Sequence, residues 1–99
     1  MNTEIIQESA KAACTLLKAM SNENRLMILC QLATGEKTVR ELEEIIGISQ
    51  SALSQHLAIL RSSTVVNTRR NAQNIYYSLA EPQPRAVIET LYRLYSKNI

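Results

Sequence analysis

The chain has no tryptophan, no phenylalanine and no aspartate, and it carries a single histidine. Each absence excludes something. A core without Phe or Trp must be built from Leu, Ile, Val, Ala and Met, helped by four tyrosines. One His and no Asp leave little for acid–base or nucleophilic chemistry, and no glycine-rich phosphate loop is present, so an enzyme is not expected. The same scarcity argues against a bound metal, which needs several ligands of suitable type and spacing; no cofactor is expected either. Two cysteines far apart in sequence do not make a disulfide framework. No apolar run approaches membrane-spanning length, and the first residues lack the basic-then-apolar layout of a signal peptide, so the expected location is cytoplasmic, with no membrane partner. Ninety-nine residues suit one domain, 1–99, and a domain this small gains from burying helices against a second copy.

A further absence is local. Residues 45–79 contain no acidic side chain but three arginines, Arg61, Arg69 and Arg70, while residues 1–44 carry seven of the nine glutamates. A surface that approaches phosphates must shed its carboxylates. Inside this segment lies Ser49-Gln50-Ser51-Ala52-Leu53-Ser54-Gln55-His56-Leu57-Ala58-Ile59-Leu60-Arg61. Leu53, Leu57 and Leu60 share one helical face; Gln50, Ser51, Ser54, Gln55, Ala58 and Arg61 share the other. An ordinary solvated face would carry Glu and Lys. This one offers amides and hydroxyls, which pair with base edges in the major groove, and an arginine suited to guanine or phosphate. Ser49 suits the N-cap, placing Gln50 and Ser51 in the first turn. His56 sits at the flank of the apolar stripe, where packing or a hydrogen bond outranks a DNA contact.

Taken in order, residues 4–19 show helical period, with Ile6, Ala10, Ala13, Leu17 and Met20 as a stripe and Cys14 beside it. A second helix at 22–33 is expected to bury Leu26, Leu29, Cys30 and Ala33, and Gly35 ends it. Thr38-Val39-Arg40-Glu41 is a capping box opening a short helix with Val39, Leu42, Ile45 and Ile46 inward. Gly47-Ile48 turns the chain into the polar-faced helix, which gives helix-turn-helix spacing. Residues 64–70 and 75–79 read as two strands around the turn Asn71-Ala72-Gln73-Asn74, a hairpin wing offering Arg69, Arg70 and Gln73 to DNA with no compensating acid. Pro82 and Pro84 bracket the start of a last helix with Val87, Ile88, Leu91, Leu94 and Tyr95 as its stripe. The expected fold is mainly α with a small β-hairpin, in the order ααααββα: a winged helix-turn-helix. Its first and last helices carry more apolar surface than one small subunit covers, so they are expected to join a symmetric dimer through Leu17, Ile88, Leu91 and Tyr95.

Three stretches carry a resemblance: Leu17-Lys18-Ala19-Met20-Ser21-Asn22-Glu23-Asn24-Arg25-Leu26-Met27-Ile28-Leu29-Cys30, Ser49-Gln50-Ser51-Ala52-Leu53-Ser54-Gln55-His56-Leu57, and Tyr76-Tyr77. Together they resemble the ArsR/SmtB family of winged-helix repressors over nearly the whole chain, and within it the HlyU/BigR branch, which responds to oxidants or reactive sulfur. The resemblance implies a homodimer on an imperfectly palindromic double-stranded operator, acting as repressor or antirepressor. It also implies that Gln50, Ser51, Ser54 and Gln55 face bases. Metal-sensing relatives place cysteines in the first helix of the helix-turn-helix, or His and Asp in the last; this chain has Thr38-Val39-Arg40-Glu41-Leu42-Glu43-Glu44 there and only Glu89 in the last helix, so metal sensing is not expected. The branch pairs a cysteine in the second helix with one near the end of the last. Cys30 matches the first, but Ser96 stands at the second, which leaves the disulfide switch disabled. Cys30 as plain core is the competing reading. Where relatives commonly carry Gly before the wing, this chain has Thr64, which would be strained if the site needs positive φ. The alternatives are a winged-helix protein-interaction module and a constitutive regulator that senses nothing.

Overall fold

The computed structural model describes residues 2–96; the ends of the 1–99 domain reading lie outside the described residues. Its elements run α1 (Thr3–Met20), α2 (Glu23–Ala33), β1 (Lys37–Thr38), α3 (Val39–Ile46), α4 (Gln50–Ser62), β2 (Val66–Asn71), β3 (Asn74–Leu79) and α5 (Gln83–Tyr95). This is the expected winged helix with one addition. The two residues of β1 pair antiparallel with β3, so the wing is a three-stranded sheet in the order β1-β3-β2. A two-residue strand carries no periodicity, and its Thr38 doubles as the N-cap of α3, which hid it behind the capping box. The hairpin is also tighter than expected: Asn71 pairs with Asn74, leaving only Ala72 and Gln73 at the tip, with Ala72 at φ 58°.

Leucines and isoleucines close the core, as the missing aromatics require. Ile28, Leu29 and Leu32 of α2, Leu42 of α3, Leu53, Leu57 and Leu60 of α4, Val66, Tyr77 and Leu79 of the wing and Ile88 of α5 are all buried. Two expectations change here. The deepest side chains of α2 include Ile28 and Leu32, while Leu26, Cys30 and Ala33 are only partly buried. α2 lies at the centre and packs against α1, α3, α4, α5 and β3, so it is buried on more than one side and a single stripe does not describe it. Ile45 faces outward, 45% exposed, because the short α3 turns only Leu42 fully into the core, with Val39 and Ile46 half-buried.

α1 touches the core only through its end. Ala19 and Met20 are buried, whereas Ile5, Ile6 and Leu17 are exposed, Leu17 by 56%. In α5, Tyr92, Leu94 and Tyr95 are exposed and Leu91 is half-buried. Ile88 corrects the expected interface: at 1% exposure it fills its own subunit's core and has no surface to offer a partner. Thr64 does sit at positive φ, 56°, between α4 and the wing, a conformation that costs a side chain with a Cβ about 1–2 kcal/mol.

Candidate nucleic-acid interface

The helix-turn-helix is set by its caps. The Thr38 hydroxyl accepts from the Glu41 backbone N–H at 3.2 Å, and the Glu41 carboxylate accepts from the Thr38 N–H at 2.9 Å. That N–H bond holds the Glu41 carboxyl below its ordinary value. Gly47 ends α3 in the left-handed region at φ 75°, donating its N–H to the Glu43 carbonyl at 3.0 Å. Ser49 then caps α4, its hydroxyl accepting from the Ala52 N–H at 3.1 Å.

Once Leu53, Leu57 and Leu60 are buried, the rest of α4 has no freedom of orientation. Gln50, Ser51, Ser54, Gln55, Ala58 and Arg61 are all exposed, as expected. The helix has no acid in its first turn, and Arg61 lies in its last. Gln50, Ser51, Ser54 and Gln55 make no side-chain hydrogen bond to other described residues, so their donors and acceptors are available for pairing outward.

His56 is turned to a different use. Its Nδ1 faces the Arg25 Nη1 at 3.4 Å, and an arginine can only donate, so Nδ1 accepts and the ring proton sits on Nε2. Arg25 also donates to the Ala19 carbonyl at 2.6 Å and to the Lys18 carbonyl at 3.3 Å. One guanidinium therefore links the end of α1 to α4. Sequence reading missed Arg25, because nothing local in the chain couples positions 25 and 56.

The wing departs furthest from expectation. Arg69 is not without a compensating acid: its Nε and Nη2 donate to the two carboxylate oxygens of Glu36 at 2.8 and 2.7 Å. Its guanidinium also lies 4.3 Å from the centre of the Tyr76 ring. The register explains the meeting. Arg69 pairs with Tyr76 and Tyr76 with Thr38, and Glu36 lies two residues before Thr38, so all four side chains fall on one face of the sheet. Without β1 that register is invisible in the sequence. Arg70 and Gln73 are exposed, and Arg70 has no acidic partner among the described residues.

The pair of positions singled out for sensing lies elsewhere. Cys30 is half-buried on α2 and lines a groove with Ile88, Glu89, Tyr92 and Arg93 of α5; burial pushes its thiol above the ordinary value. Ser96 ends α5, its N–H donating to the Tyr92 carbonyl at 2.9 Å. Cys14 is exposed on α1 and, like Cys30, is a free thiol.

A sheet-edged hairpin following a polar, acid-free second helix defines a winged helix-turn-helix protein. The family described as bacterial regulatory protein, arsR family, matches residues 22–68. The transcriptional activator HlyU of Vibrio cholerae serotype O1 is 50% identical over 96% of this chain and 88% of its own length. The reduced form of HlyU superposes with a TM-score of 0.89, at 48% identity, over 95% of this chain and 99% of that one. The transcriptional repressor BigR of Xylella fastidiosa gives 0.86 at 41% identity, covering 99% and 100%. A homodimeric winged helix-turn-helix DNA-binding domain, Mb0332 of Mycobacterium bovis, gives 0.83 at 25%, covering 94% and 86%. The chain belongs to the ArsR family, in the branch of HlyU and BigR, and is a DNA-binding transcriptional regulator rather than an enzyme. No helix among the described residues is long and apolar enough to cross a membrane.

Proposed function

We propose that two copies of this chain, joined through α1 and α5, read an imperfectly palindromic operator in the cytoplasm. Gln50, Ser51, Ser54 and Gln55 meet bases, and Arg61 and Arg70 meet phosphates. The observation that carries this reading is the outer face of α4, wholly exposed, uncharged except for Arg61 and pointed away from a leucine stripe. Unpartnered apolar side chains on α1 and α5, Leu17, Tyr92, Leu94 and Tyr95 among them, support the dimer. Joining the subunits there sets the two α4 helices about 34–36 Å apart, one turn of DNA. Selection of bound duplexes from a random pool, followed by sequencing, tests the reading. Enrichment of two related half-sites spaced by one helical turn is expected; a pool that stays random rejects it.

In the sensing arm, this chain holds its DNA-binding form through oxidant or reactive sulfur. A disulfide needs two sulfurs, and Ser96 has none. The Cys30 thiol, kept protonated by burial, is also a poor nucleophile near neutral pH. Ser96→Cys is therefore expected to create a thiol-reversible loss of operator binding upon tetrasulfide treatment, with the parent nearly unaffected. Anisotropy and intact mass on both proteins check this, and strong thiol-reversible release of DNA by the parent would shift attention to Cys14 and Cys30.

A further inference from the structure

Arg69 is held on three sides. Two of its nitrogens donate to the Glu36 carboxylate in a bidentate pair, and one face of the guanidinium is covered by Tyr76. A phosphate reaching Arg69 would have to sit beside that carboxylate or displace it. The electrostatic result is a neutral pair on β2, next to one uncompensated charge at Arg70. The mechanical result is that the loop before β1, which leads directly into the capping box of α3, is tied to the wing. Arg69 and Glu36 keep 53% and 34% of their side-chain surface exposed, and an ion pair this accessible contributes little to folding stability. Its consequence is for geometry and field.

We propose that Glu36 is a positioning residue for DNA binding: it withholds Arg69 from the phosphates and uses it to fix the angle of the wing, so that Arg70 is the arginine of the wing that contacts DNA. This rests on the DNA-binding reading above. Glu36 matches no expected DNA contact, and its role follows only from β1 bringing it across the sheet.

The test is the salt dependence of duplex binding, which counts phosphate contacts. Each neutralised phosphate contributes about 0.9 to the slope of log affinity against log salt. Arg69→Ala is expected to leave the parent slope unchanged, and Arg70→Ala to make it shallower by about 0.9. Glu36→Gln keeps the shape but frees Arg69. It should steepen the slope by about 0.9, seen as an extra three- to fourfold loss of affinity over a fourfold rise in salt. Glu36→Gln combined with Arg69→Ala should return to the parent slope, a rescue that a purely structural role would not produce. If Arg69→Ala disturbs the wing, the near-isosteric Glu36→Gln still decides. A unit of slope lost in Arg69→Ala, or no change in Glu36→Gln, overturns this inference alone. A parent that binds no duplex overturns the DNA-binding reading along with it.

Discussion

α1 and α4 are both amphipathic helices, yet they resolve their outer faces in opposite ways. α4 buries three leucines completely and shows water an array of amides and hydroxyls. α1 is longer, 18 residues against 13, but seats only Ala19 and Met20 in the core and leaves Ile5, Ile6 and Leu17 outside. Polar groups without partners cost little in water and much in a dry interface, whereas exposed apolar area costs in water and is repaid by burial. The two helices therefore await different partners: α4 one that offers hydrogen-bonding edges, α1 one that offers apolar surface. The connection between them runs through Arg25, which touches the carbonyls ending α1 and the ring of His56 on α4.

Breaking the α1 side should have the largest effect. Leu17→Glu places a charge in the proposed dimer face and is expected to yield monomer. With it goes specific binding, on the order of a thousandfold or more, the usual gap between specific and non-specific affinity. Sedimentation alongside operator binding checks both; a variant that stays dimeric puts the interface elsewhere. On the α4 side, Gln50→Ala or Gln55→Ala should leave the dimer intact and cost about 1–3 kcal/mol of discrimination if the amide pairs with a base in bidentate fashion. Equal binding of the selected duplex by parent and variant would remove these residues from the reading face.

Two smaller effects sharpen the comparison by sparing both faces. Thr64→Gly relieves a positive φ between α4 and the wing, and after glycine's own entropic cost should stabilise the fold by about 0.5–1 kcal/mol. A lower urea midpoint in that variant would mean that the local bond from the Thr64 hydroxyl to the Ser63 carbonyl outweighs the strain. The smallest effect is on acid stability. The Glu41 carboxyl is depressed in the folded state, so its contribution is fully present above the ordinary value of 4.5 and is lost as pH falls through the lower folded value. Glu41→Gln has no carboxyl to titrate and should show a flatter acid limb. Identical pH dependence of urea midpoints in the two proteins would assign the acid limb to other groups.

Local chemistry accounts for what could be read without coordinates. Capping boxes, N-cap serines, a left-handed glycine and leucines at helical spacing act over a few residues, so α3, α4 and the turn between them follow from Thr38, Glu41, Gly47, Ser49, Leu53, Leu57 and Leu60. The exposure of Gln50, Ser51, Ser54 and Gln55 follows in turn, because burying one face of a helix presents the other. The positive φ at Thr64 was likewise open to suspicion from the residue alone.

What the sequence by itself determined is thus the helix-turn-helix, the wing's existence and the polar reading face, all products of short-range periodicity and capping. Tertiary structure alone decided which surface groups remain available. Ile88 went into its own core, His56 turned to Arg25, and Arg69 was claimed by Glu36 from 33 residues away. Those choices depend on β-register and on packing around the central α2, which bring together positions that share no local signal.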